Sequence, residues 1–121
     1  MPFQWLPFKI PKSEKGRGCE HALNFLADSE RVWAETKYDG ERAQIHVQVN
    51  EDGSSYITIF SKSRRDSTLD RHAVHTIIRA ALRLTGTCTS GCKVKQNVIL
   101  DAEMVAFRGE MVDGKFHLSC A

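Results

Sequence analysis

Ala43-Gln44-Ile45-His46-Val47-Gln48-Val49, then Asn50-Glu51-Asp52-Gly53-Ser54, then Tyr56-Ile57-Thr58-Ile59-Phe60, is the stretch whose reading decides the fold. The first segment alternates strictly, and a period of two places Ile45, Val47 and Val49 together on one face of a strand. The middle cluster consists of turn formers, and the third segment is β-branched and aromatic. Together they read as an antiparallel hairpin.

Downstream, Asp66, Ser67 and Thr68 can cap a helix. In it Val74, Ile77, Ile78, Ala81 and Leu82 recur at helical spacing, while Arg71, Arg79 and Arg83 lie mostly off that stripe and read as a solvated face. The helix is expected to end near Gly86, with a Thr/Ser/Gly/Cys loop to Gly91. Residues 97–107 read as one long apolar strand, 108–114 as a turn, and 115–119 as a final short strand. Upstream, Val32-Trp33-Ala34-Glu35-Thr36 has strand composition, and residues 19–28 place Ala22, Leu23, Phe25 and Leu26 on one face of a short helix. All three prolines fall in residues 1–18, so an extended or disordered leader is expected, from which Trp5 and Phe8 can dock. Residues 19–121 form the expected domain. Its connections are too short for parallel crossovers except across one helix, which predicts an α+β fold with a mainly antiparallel sheet and one or two helices.

With 121 residues and a net charge of +2, the chain can bury a core but has no bulk polycation character. The charge is uneven, with Lys62, Arg64, Arg65, Arg71, Arg79 and Arg83 facing only Asp66 and Asp70 between residues 61 and 83. No stretch is long and apolar enough for a membrane span, and the start lacks a secretory apolar core, which favours an intracellular protein. Cys19, Cys88, Cys92 and Cys120 are too scattered for a disulfide framework, and the Cys88/Cys92 spacing lacks a second ligand pair for zinc. His46, His72 and His75 share no ligand spacing with a third partner and read as structural or exposed.

Immediately before the hairpin stands Lys37-Tyr38-Asp39-Gly40-Glu41-Arg42, where the Trp33 strand is expected to end and Gly40 to supply a turn. Alternation along that strand puts Glu35, Lys37 and Asp39 on one side and the mostly apolar Val32, Ala34, Thr36 and Tyr38 on the other. On the later strand Asp101 and Glu103 share one face and Leu100, Ala102 and Met104 the other. Carboxylates projecting together from an apolar strand call for cations or a ligand opposite them.

The Lys37 run resembles the Lys-x-Asp-Gly-x-Arg signature of ATP-dependent DNA ligases, which RNA ligases and mRNA-capping guanylyltransferases share. Ile59-Phe60-Ser61-Lys62-Ser63 is similar to the ligases' motif Ia, and Val98-Ile99-Leu100-Asp101-Ala102-Glu103-Met104-Val105-Ala106-Phe107 to motif III. The order of the three favours a eukaryotic DNA ligase, closest to the ligase IV-like group. The resemblance implies a partial nucleotidyltransferase (adenylation-domain) fold, ATP and Mg2+ as cofactors, nicked or broken duplex DNA as partner, and a nuclear location. It implies Lys37 as the nucleophile that takes the adenylyl group and Glu35 as the adenine-recognition element. Thr36 lies beside them in the nucleotide site, Asp39 orients the lysine or its surroundings, and Arg42 and Glu103 contact the ribose, with Glu103 also near the metal. A lysine amine attacks only when uncharged, a form that nearby positive charge favours. Arg42 and a bound divalent cation would supply that charge.

The ligases usually carry arginine after the Phe-Ser of motif Ia, where this chain has Lys62 with Arg64 and Arg65 close behind. These three are the expected nucleic-acid contacts at the cleft rim. The 121 residues contain no Glu-Gly-x-x-x-Lys segment, no motif V lysine pair and no oligonucleotide-binding domain after motif III. The expectation is therefore the front part of an adenylation domain, inactive in joining DNA by itself. The competing readings are an RNA ligase or capping relative, and a catalytically dead remnant that binds nucleotide or nucleic acid.

Overall fold

The structure, a computed structural model, describes residues 6–84 and 93–113, and of residues 115–120 the backbone. Trp5, the loop before Gly91, Gly86, Cys88, Cys92 and the Cys120 side chain lie outside the described residues. The chain divides into two compact units, one of them Phe8–Lys37.

In the larger unit, β1 (Glu41–Val49) is the centre of a three-stranded antiparallel sheet, between β2 (Ser55–Ser61) and β3 (Asn97–Met104). The hairpin forms as the alternation predicts. Ile45 stands opposite Ile59 and Leu100, and Val47 opposite Ile57 and Val98, so each rung is apolar across all three strands. Ala43, Ile45, Val47, Ile57 and Ile59 are buried, and Val98, Leu100, Ala102 and Met104 pack against them. Burial of this face supplies most of the sheet's stabilisation, at roughly 25 cal/mol per Å2 of apolar surface. At the turn, Asp52 accepts hydrogen bonds from the Ser54 amide and hydroxyl, and Gly53 takes a positive φ of 82°.

The helix α2 (His75–Leu82) follows a 3-10 turn, His72–Val74. It brings Ile78 into the core, with Val74 and Leu82 packed against it. Its buried stripe is rotated by one residue from the expected one, because His75 is buried while Ile77 is exposed. Asp66, Ser67 and Thr68 do not cap it, since the residue at its N-cap is Val74 and no side-chain cap bond is made. They staple the connection to β2 instead. The Ser67 amide and hydroxyl donate to the Ile59 carbonyl, the Thr68 hydroxyl accepts from the Ile59 amide, and Asp66 accepts from the Thr68 amide. Short polar side chains compete for backbone partners in turns as readily as at helix ends, and here the free edge of β2 offers those partners. The helix ends at Arg83, which is left-handed (φ 55°).

The expected single strand over residues 97–107 is two strands. β3 stops at Met104, and after Val105 and Ala106 a second strand, β4 (Phe107–Val112), pairs with β5 (Lys115–Cys120) as a separate antiparallel ribbon. Residues 108–112 are therefore strand rather than turn, and the reversal falls at Asp113, where φ is 50°.

In the smaller unit, α1 (Cys19–Phe25) forms but buries none of its residues; Leu23 and Phe25 are both more than half exposed. No strand forms over Val32–Thr36: residues 31–39 are without regular structure, and Trp33 is 86% exposed. β-branched and aromatic content favours a strand only where a neighbouring strand takes up its backbone groups. Among the described residues none does. Among the described residues the fold is thus α+β, with antiparallel sheets and two α-helices.

Candidate functional site

The polar face of the sheet is built from the residues of β1 that alternate with its core positions. Arg42 stands opposite Glu103, and Gln44 opposite Asp101. The Arg42 guanidinium does not take its direct neighbour but reaches the diagonal one: Nε donates to Asp101 Oδ1 at 2.8 Å and a terminal nitrogen donates to Oδ2. Diagonal neighbours on one sheet face are within reach of so long a side chain. Bonding to Asp101 raises the affinity of Arg42 for its proton, with smaller electrostatic contributions from Asp101 and Glu103. The same bond holds the Asp101 carboxyl below the ordinary carboxylate range. Both partners are about a third or more exposed, so the pair adds at most about 1 kcal/mol to stability. Its larger effect is geometric, because a two-point bond fixes the plane of the guanidinium and leaves its other N–H donors free to bind something else.

Deeper on this face, Gln44 and His46 are buried. His46 Nε2 lies 2.9 Å from Gln44 Oε1, and the imidazole meets Phe60 edge to face at 5.1 Å. Burial makes His46 harder to protonate than usual. His75, in the core side of α2, is shifted the same way, by burial first and then by His72 and Arg79.

At the open end of β1, Gly40 lies against the end of β3. A Cβ at this position would collide with the Met104 carbonyl oxygen and stand 2.9 Å from its carbon. Glycine is required there by the close approach of two backbones rather than by a positive φ, a different reason from the turn expected of it. Asp39, Gly40 and Glu41 with Met104, Val105 and Ala106 line an open concavity of about 470 Å3. Gly40, Glu41 and Arg42 thus meet the strand that carries Glu103, through the close backbone approach and the β1–β3 ladder. Glu35, Thr36 and Lys37 belong to the smaller unit and are exposed there, as Asp39 is in the larger.

The family model for the ATP dependent DNA ligase domain matches residues 13–117. The chain belongs to that family. Comparison with curated proteins and with solved structures returned no match. Membership of the ligase family carries nucleotide and metal binding with it, and the DNA ligase adenylation domain is the part of the family to which this chain corresponds.

In this ligase domain Lys62, Ser63 and Arg64 form the tip of a tight loop that leaves β2. The Arg64 amide donates to the Ser61 carbonyl, the Ser61 amide to the Arg65 carbonyl, and Arg64 adopts φ 66°. The Ser61 and Ser63 hydroxyls lie 3.0 Å apart. Arg65 bonds Asp70 at 2.9 Å, whereas Lys62 and Arg64 are exposed and form no ion pair among the described residues. The three expected nucleic-acid contacts therefore differ, two cations being uncommitted and one paired.

Among the described residues no group of three His, Cys, Asp or Glu side chains could hold a metal ion. Glu103 is exposed and makes no salt bridge among them, while Asp101 is taken by Arg42. That donor set does not make a closed metal cage. It does fit magnesium bound with a nucleotide, which takes one or two carboxylates and completes its shell with phosphates and water. No helix among the described residues is long and apolar enough to cross a membrane.

Two residues with structural roles at this site escaped the sequence reading as site members. Alternation puts Asp101 on the polar face, but its pairing with Arg42 depends on a diagonal register that composition does not reveal. Helical spacing puts Arg71 on a solvated face, yet its side chain is 11% exposed and bonds Glu41 at 2.7 Å and the Arg42 carbonyl at 3.3 Å.

Proposed function

We propose that this domain performs the adenylation step of a eukaryotic-type, ligase IV-like DNA ligase that seals nicks or breaks in nuclear DNA. The observation that carries the reading is the two-point bond of Arg42 to Asp101 beside Glu103, on strands joined through Gly40 to the run that holds Lys37. The Lys37 Nζ lone pair attacks the α-phosphorus of ATP, the bond to the bridging oxygen breaks, and pyrophosphate leaves with that electron pair. The attacking nitrogen sheds its proton, and the adenylyl group remains on Lys37 through a phosphoamide bond. Arg42, its plane set by Asp101, directs its free N–H donors at the ribose, and Glu103 accepts from a ribose hydroxyl. Glu35 and Thr36 contact the base side of the nucleotide, and Asp39 orients the lysine amine. When bound, magnesium supplies neutralisation of phosphate charge, and Glu103 is the residue that would hold it. Lys62 and Arg64 meet DNA phosphates first, and Arg65 follows once released from Asp70.

The test joins the chain to the downstream half of a ligase adenylation domain, which brings the phosphate-contacting lysines that these 121 residues do not contain. Incubation with magnesium and α-labelled ATP is expected to label Lys37, and added pyrophosphate to release the label. Lys37→Arg is expected to abolish labelling, because a guanidinium stays protonated and is no nucleophile. Label mapped to another lysine, or retained in Lys37→Arg, would overturn the assignment. Preference for labelled GTP would move the reading to a capping enzyme.

A further inference from the structure

The ladder between β1 and β2 ends at Ala43 opposite Ser61, whereas the ladder between β1 and β3 runs on to Glu41 opposite Met104. Over Glu41 and Arg42, β1 therefore has, among the described residues, a strand on one side only, just where it carries the guanidinium that bonds Asp101. β2 does not continue alongside because the Ser61–Arg65 loop turns away. Arg71 meets this stretch of β1 instead. One terminal nitrogen donates to the Arg42 carbonyl at 3.3 Å and the other to Glu41 Oε2 at 2.7 Å. Its side chain is 11% exposed although Glu41 is 80% exposed, so the arginine is the fixed member of the pair.

The anchorage of Arg71 is itself continuous with the sheet. Its amide donates to the Ser67 carbonyl at 3.0 Å, and Ser67, 2% exposed, is bonded through both amide and hydroxyl to Ile59 in β2. Its carbonyl accepts from the Val74 amide at the end of the 3-10 turn. A chain of hydrogen bonds thus runs from β2 through the Ser67 turn to Arg71 and on to the backbone of Arg42. We infer that Arg71 is a positioning residue for Arg42: it stands in for the missing strand, holds the first two residues of β1 in extended register, and so fixes where the Arg42 guanidinium points. A guanidinium suits the task, since one planar group satisfies a carbonyl and a carboxylate together, which an ammonium on a flexible stem cannot do with the same geometry. The consequence for nucleotide binding rests on the ribose-contact role proposed for Arg42; the positioning does not.

The experiment has two readouts on folded protein, with protection of the Ile45 and Val47 amides as the check that the hairpin is intact. The first is hydrogen exchange at the Arg42 side-chain Nε–H, followed by NMR in the 121-residue chain. Arg71→Met keeps the apolar stem and removes the donors, and is expected to speed this exchange about tenfold; Arg71→Lys restores part of the protection, and Glu41→Gln, a change at an exposed side chain, speeds it about threefold. Unchanged Arg42 exchange in both Arg71→Met and Glu41→Gln overturns the inference. The second readout is adenylate formation in the joined adenylation domain, where Arg71→Met is expected to raise KM for ATP about tenfold and leave kcat within about twofold. A loss of kcat at constant KM would mark Arg71 as merely structural. Should Arg42→Ala leave KM for ATP unchanged, the ribose-contact reading fails, and the exchange measurement alone decides the role of Arg71.

Discussion

The two ends of the Lys37–Arg42 run are held in opposite ways. Glu41 and Arg42 open a strand with a ladder along β3, a salt bridge to Asp101 and an arginine clamp on the side where β2 has stopped. Lys37, in the smaller unit, is exposed and belongs to no strand, as are Glu35 and Thr36 before it. Backbone pairing and apolar burial fix the ribose end of the proposed site. Glu35, Thr36 and Lys37, the proposed nucleotide contacts before it, are exposed and have no such ladder among the described residues. The contrast is one of energetics as well as geometry, and it can be tested residue by residue.

The largest effect is expected inside the sheet. Ile59 is fully buried between the hairpin and the Ser67 staple, so Ile59→Ala should cost about 3 kcal/mol in urea unfolding through lost burial and a cavity. A cost below about 1 kcal/mol would mean that the three-strand rungs do not carry the unit's stability. Next comes Gly40, which lies between Lys37 and Arg42 in the chain. Gly40→Ala forces a Cβ onto the Met104 backbone, which cannot yield as a flexible side chain would, and should cost about 2 kcal/mol. Wild-type stability for this variant would show that Gly40 and Met104 do not stay in contact in solution.

A smaller effect is expected from pH. His46 and His75 are both harder to protonate when folded than at the ordinary value of 6.5, because burial removes them from water. Below that value the unfolded chain binds protons that the folded chain does not, so stability should fall as pH drops from about 6.5 toward the lowered folded values. His75→Leu removes one of the two groups and should flatten the slope without abolishing it. An unaltered slope would assign the whole dependence elsewhere. The smallest effect closes the comparison: Trp33→Ala, at a residue almost wholly in solvent, should change stability by less than about 0.5 kcal/mol. A large loss would show that the smaller unit has a core after all.

Alternation of Ile45, Val47 and Val49 around a turn cluster was enough to foresee the hairpin and its core face, because a period of two and a buried face leave one register open. The same alternation placed Asp101 and Glu103 together, away from Leu100, Ala102 and Met104, and the three motifs in order pointed to the ligase family. What local composition could not decide was which segments find partners. Val32–Thr36 has strand residues and, among the described residues, no neighbour to pair with; residues 97–107 look continuous yet break at Val105, and Asp66–Thr68 have capping chemistry that β2 claims instead. Arg71 was hidden for the same reason, since nothing near it in sequence says that the β2 ladder will stop short of Arg42. Periodicity is written into neighbouring residues and survives in the sequence. Ladder ends, diagonal pairs and close backbone approaches join residues tens of positions apart, and they exist only once the sheet has formed.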